Sequence, residues 1–120
     1  MDVANLAGNH PVTIADLISK SAAKFPDAVA IAAPSRTSLT YAQLRVQLDR
    51  IVRELNEAGV GHNDRVAIVL PNGPELATAF ICVAATAASA PLNPDYRVAE
   101  FEFYLTDLKA QAIVIAHDAD

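Results

Sequence analysis

The chain has 120 residues, 52% of them hydrophobic, and a formal net charge of -5. That length gives one domain with a real core and excludes two, and the composition excludes a disordered chain. The acidic balance, with no run of Lys or Arg, argues against a nucleic-acid or anionic-membrane partner, since both need clustered cations.

Residues 1–12 show no periodicity and are expected to form a mobile lead-in; "MDVANLAGNHPV" has neither the basic start nor the apolar stretch of a signal peptide. Thr13 opens the first helix, with Asp16 completing a capping box. Ile14, Leu17, Ile18, Ala22 and Phe25 fall on one face, and Pro26 ends the helix. "AVAIAA" (28–33) reads as a short strand and "PSRTS" as a turn. "LT" reads as a return strand, making a small β-hairpin. Thr40 and Gln43 form a second capping box. The helix they open carries Leu44, Leu48, Ile51, Val52 and Leu55 as its apolar stripe and stops at Gly59.

"RVAIVLP" then has the continuous apolar, β-branched pattern of a strand covered on both faces. "PNGPE" turns into a third helix, about Glu75 to Ala87, with almost no polar face, so both of its sides are expected to be covered. "SAPL" is the next strand, "NPDY" a turn, Val98 to about Leu108 a fourth helix, and "AIVIA" (112–116) another covered strand. From Arg65 onward strand and helix alternate, which predicts an α/β fold: a parallel sheet with right-handed helical crossovers. The apolar run from Leu76 to Leu92 is interrupted by Thr78, Thr86, Ser89 and Pro91. It is short for a membrane span.

A catalytic constellation is not found. The four glycines, Gly8, Gly59, Gly61 and Gly73, make no phosphate loop, and Gly59-x-Gly61 follows a helix rather than a strand. "PNGPE" lies at the carboxyl end of a parallel strand, where α/β ligands bind, but reads first as turn geometry. His10, His62 and His117 lie far apart, without metal-ligand spacing. Asp95, Glu100 and Glu102 read as a solvated rim, and Asp118 and Asp120 as an acidic end. Cys82 is the sole cysteine, so no internal disulfide is possible. In "AFICVAA" it reads as a buried small hydrophobe, which fits a reducing compartment such as the cytoplasm.

Three stretches in register resemble one family. "SLTYAQL" (38–44), "GVGHNDRVAIVLPNGPE" (59–75) and "SAPLNPDYRVAEFEFYLTD" (89–107) are similar to the amino-terminal region of the adenylate-forming superfamily. That group includes acyl-CoA synthetases, coumarate–CoA ligases, luciferases and peptide-synthetase adenylation domains. "APLNP" followed by "EFEFYL" most resembles the acyl-CoA and oxalyl-CoA synthetase branch. The resemblance implies that residues 13–120 are part of the large amino-terminal αβαβα domain. In it the Pro-Leu-Asn-Pro corner ends a strand, Pro91 and Pro94 fix backbone angles, and Asn93 bonds its own backbone. Phe101, Phe103, Tyr104 and Leu105 would dock the following helix on the sheet.

The same resemblance implies an amino-terminal fragment of an ATP-dependent carboxylate–CoA ligase. Members are several times longer, and their phosphate loop, ribose and Mg²⁺ carboxylates, acyl pocket and catalytic lysine lie beyond this stretch. No catalytic, cofactor-binding or metal residue is therefore assigned here. ATP, Mg²⁺ and CoA belong to the parent, and the chain alone is expected to be inactive. Its expected partners are the rest of the parent or a second copy, with no nucleic acid and no membrane. The alternative is a stand-alone, non-catalytic α/β interaction module, with the helix at 75–87 and the strand at 112–116 as its adhesive surfaces.

Overall fold

The structure, a computed structural model, describes residues 13–116. The expected lead-in, His10, His117 and the acidic end lie outside the described residues. The elements run α1 (Ile14–Lys24), β1 (Val29–Ile31), β2 (Leu39–Thr40), α2 (Tyr41–Glu57), β3 (Arg65–Val69), α3 (Pro74–Ala84), β4 (Ala88–Pro91), α4 (Val98–Leu108) and β5 (Ala112–Ile115).

Local chemistry sets the boundaries. Both expected capping boxes form. The Asp16 N–H donates to Thr13 Oγ1 at 3.0 Å, and the Gln43 N–H donates to Thr40 Oγ1 at 3.2 Å. In return the Thr40 N–H donates to Gln43 Oε1 at 2.9 Å. At the far end of α2, Gly59 adopts φ 85°, its N–H donates to the Asn56 carbonyl at 3.0 Å, and the Val60 N–H reaches the Leu55 carbonyl at 2.9 Å. This is a Schellman stop, sealed by Val60 and Leu55 in one core cluster. The end of α4 repeats the geometry with Lys109 in the left-handed position: Lys109 donates to Thr106 and Ala110 to Leu105. Helix α3 stops at Ala84, three residues short of the expected Ala87. The Thr86 and Ala87 N–H groups both turn onto the Val83 carbonyl, and β4 begins at once.

The hairpin pairs β1 and β2 antiparallel, Val29 opposite Thr40 and Ile31 opposite Leu39. The main sheet is three-stranded and parallel in the order β4-β3-β5. Side-chain alternation puts Val66 and Ile68 on one face, beside Ala112 and Val114 of β5. Leu55 of α2 and Ala79 and Val83 of α3 join them in the main core cluster. A second cluster, Leu44, Leu48 and Cys82, lies under the hairpin, with Ile18 of α1 and Ile31 and Leu39 packed against it.

The opposite face is less complete. The return from β4 across β3 to β5 runs against the direction of the first crossover, so the right-handed rule assigns α4 to this face. Ala67 is fully buried there, but Ile113 and Ile115, in register with Ala67 and Val69, are 46% and 48% exposed. The expectation that β5 is covered on both faces is therefore corrected: the described residues cover one. The docking expected of Phe101, Phe103, Tyr104 and Leu105 is corrected in part: Phe101 and Leu105 are half-buried, whereas Phe103 and Tyr104 are exposed. No residue of α4 is buried, and Phe103 is 64% exposed. The aromatic rings gather locally instead. Tyr96 stacks on Tyr104 at 5.0 Å between centroids and meets Phe101 edge-on at 5.8 Å. A three-stranded sheet with one central strand offers too narrow a bed to bury a whole aromatic helix face. Phe80, 44% exposed, likewise shows that α3 is not covered all round.

Candidate functional site at the strand ends

Parallel strands bring all their carboxyl ends to one edge, the usual ligand edge of an α/β sheet. Here the edge gathers the loop after β3 (70–73), the corner after β4 (92–97) and the end of β5. The Pro-Leu-Asn-Pro corner is built as its residues dictate. The Leu92 N–H donates to the Ile68 carbonyl at 2.8 Å, extending the ladder by one bond. Asn93 Oδ1 then accepts the Asp95 N–H at 2.9 Å, and the Tyr96 N–H donates to the Asn93 carbonyl at 3.2 Å. Asn93 thus closes an Asx turn between two prolines whose φ angles are locked. The corner is architecture whose polar groups bond each other.

The β3 loop is held differently. Gly73 caps α3 at φ 155° and ψ -174°, a region essentially reserved for glycine, and Pro74 fills the first helical position, where its missing N–H costs nothing. Glu75, in the first turn, receives a hydrogen-bonded ion pair from the Arg36 guanidinium. That contact ties the hairpin loop to the start of α3 across 39 residues of sequence. The Arg36 hydrogen bond, helped by a bond to Glu75's own backbone, holds the Glu75 carboxyl below the usual carboxylate range. Sequence reasoning missed this pair: Arg36 reads only as part of a turn, and nothing in a local pattern announces its partner.

Two recesses open along the edge. One of about 670 Å³ lies between the loops, lined by Pro71, Asn72, Leu76, Pro91, Asn93 and Asp95. The other, of about 510 Å³, is lined by Arg36, Leu70, Asn72, Glu75 and Ile115. They offer amides, one neutralised ion pair, one carboxylate and apolar walls. No nucleophile stands beside a base. Cys82 is fully buried away from this edge in the second core cluster, and burial pushes its thiol up to about 11, partly offset by the charge of Arg50. It stays a neutral thiol at physiological pH, as its apolar setting predicts. Among the described residues no three His, Cys, Asp or Glu side chains gather as a metal site. His62 sits apart on the loop before β3, and Glu100 bonds the Arg97 N–H at 3.1 Å to cap α4. No helix among the described residues is long and apolar enough to cross a membrane.

Comparison with known proteins agrees with the three sequence blocks. A family model described as AMP-binding enzyme matches residues 18–120. The oxalate–CoA ligase of Arabidopsis thaliana is 34% identical over 110 residues, covering 90% of this chain and 21% of that protein. A dimodular nonribosomal peptide synthase of Bacillus subtilis (strain 168) is 36% identical over 96 residues, covering 79% of this chain and 4% of its own length. Among solved structures, a Mycobacterium tuberculosis fatty acyl CoA synthetase superposes with a TM-score of 0.73 at 28% identity, over 84% of this chain and 20% of that one. The chain thus spans about a fifth of the length of the CoA ligases it matches.

Proposed function

Because the chain belongs to the AMP-binding enzyme family of adenylate-forming ligases, we infer that it is amino-terminal scaffold for a carboxylate–CoA ligase and has no adenylation activity by itself. The parent reaction would join a carboxylate to the α-phosphate of ATP with release of pyrophosphate. A CoA thiol would then replace AMP at the acyl carbon. The observation that carries this reading is the fit of residues 18–120 to the family model together with the self-satisfied strand-end corner. Identity does not separate the branches, since an oxalate–CoA ligase is 34% identical and a peptide synthase 36%. The CoA branch is preferred on the resemblance of "APLNP" followed by "EFEFYL".

The described residues do not fit an ATP or Mg²⁺ site of their own. None of the described glycines forms a phosphate cradle: Gly59 ends α2, Gly61 lies in the turn before β3 and Gly73 caps α3. Of the acidic side chains lining the two strand-end recesses, Glu75 is already paired with Arg36, which leaves Asp95 alone. No chemical step is therefore routed through this chain. What it contributes is a rigid β3–β4 edge: two proline-locked loops held against one sheet, ready to wall a site completed by other residues.

The same reading covers partners. The exposed α4 and β5 surface, with Val98, Phe103, Ile113 and Ile115, is met by the remainder of the parent or, in the isolated chain, by a second copy. The test of the ligase reading is product analysis on the cellular protein that carries this sequence. With ATP, CoA and a panel including oxalate, acetate, medium-chain fatty acids and coumarate, it should form AMP, pyrophosphate and a CoA thioester. Thioester found only on a carrier protein would move the assignment to the peptide-synthetase branch.

A further inference from the structure

Next to the strand-end recess, and sharing Arg36 and Glu75 with it, a cleft of about 330 Å³ opens between the hairpin, α2 and the start of α3. We propose that this cleft binds a small amphipathic carboxylate. Its floor is apolar: Ile31 and Leu39 from the hairpin, Ile51 from α2 and Ala79 from α3. Its rim is cationic. Arg36, Arg50 and Glu75 all line it, and the Arg36–Glu75 pair is internally neutral. Arg50 has no ion-pair partner among the described residues, so the rim keeps one net positive charge. Gln47 lies one helical turn before Arg50 on the same face of α2, which puts an amide beside the guanidinium.

An apolar floor with a few convergent polar groups is the general form of a small-ligand site, and the volume is at the small end of that range. The occupant must match both parts. A guanidinium prefers a planar carboxylate, which it can grip with two parallel N–H donors, and Gln47 can donate a further bond to the same group. The tail must be short and unbranched to lie along Ile31, Leu39 and Ile51. A neutral amphiphile would leave Arg50 unmatched, and a bare anion such as acetate would leave the floor in water.

The experiment is an NMR titration of the isotopically labelled chain with sodium octanoate, using octan-1-ol as the tail-only probe and acetate as the head-only probe. Octanoate should give saturable shifts centred on Gln47, Arg50, Ile51 and Thr78, while each control binds about tenfold more weakly or less. Arg50 is exposed, so Arg50→Gln should keep the fold and weaken octanoate by about tenfold or more. Glu75→Gln frees Arg36 and should tighten binding. Shifts that do not saturate, or that centre on α4 and β5, would overturn the proposal. So would octan-1-ol binding as well as octanoate, or an unchanged affinity in Arg50→Gln. None of these outcomes depends on whether the chain serves a CoA ligase.

Discussion

Gly59 and Lys109 occupy the same left-handed position at the ends of two helices, and the hydrogen-bond pattern around them is the same. At Gly59 the backbone angle is free of side-chain strain; at Lys109, with φ 53°, the Cβ crowds its own carbonyl. Relief of that strain exceeds the extra chain entropy that glycine brings to the unfolded state. Lys109→Gly should therefore stabilise the chain by up to about 1 kcal/mol, read as a raised urea midpoint at unchanged m-value. A lowered midpoint would show that the Lys109 side chain itself holds the end of α4. Gly59 was legible in the sequence because glycine after an apolar stripe is a stop signal. The end of α4 near Leu108 was legible too, but the left-handed residue that makes it was not, because a lysine gives no such signal and only the backbone reveals it.

At the scale of elements, helices and strands were legible because each carries its own period and its own caps. Thr13 with Asp16 and Thr40 with Gln43 start helices where those pairs predict, and β3 and β4 fall within a residue or two of their apolar runs. Coverage was not legible. A β-branched run such as Ala112–Ile115 looks the same whether one or both faces are buried, because coverage depends on how many strands and helices surround it. The join between hairpin and α3 is likewise a matter of assembly. Arg36 holds the Glu75 carboxyl below its ordinary range, so its folded-state pKa is lower than its unfolded one. The sign follows: this pair favours folding at pH values above the ordinary carboxylate range, and its help is lost as pH falls through the lowered value. Both side chains are solvated, so the effect on stability is small. An NMR titration should find Glu75 below the ordinary carboxylate range, and Arg36→Ala should raise it. A Glu75 that titrates in the ordinary carboxylate range in the unaltered chain would remove the pair from solution.

For the whole molecule, the decisive feature is uneven burial. One face of the sheet lies under α2 and α3, while the other leaves Ile113, Ile115 and Phe103 nearly half exposed or more. The parallel strand β5 is also an open edge of the sheet, with main-chain groups that can pair. The isolated chain should therefore self-associate at high micromolar concentration. Sedimentation should show this, and Ile115→Lys with Phe103→Glu should shift it toward monomer. A clean monomer in the unaltered chain that binds no hydrophobic dye would contradict it. The sequence made the family readable through three short blocks, yet the chemistry stays unassigned for a physical reason. Acyl-adenylate formation needs phosphate donors, a held cation and a charge-stabilising group preorganised together, and the described residues of the strand-end edge do not gather that set: the one cation, Arg36, is already paired with Glu75.

That claim is tested most directly by ATP–pyrophosphate exchange with the purified 120-residue chain, across oxalate, acetate, medium-chain fatty acids and coumarate. The scaffold account predicts no exchange above background with any of them. Exchange that follows the protein through two successive columns would contradict it, and would place an adenylation site among residues read here as architecture.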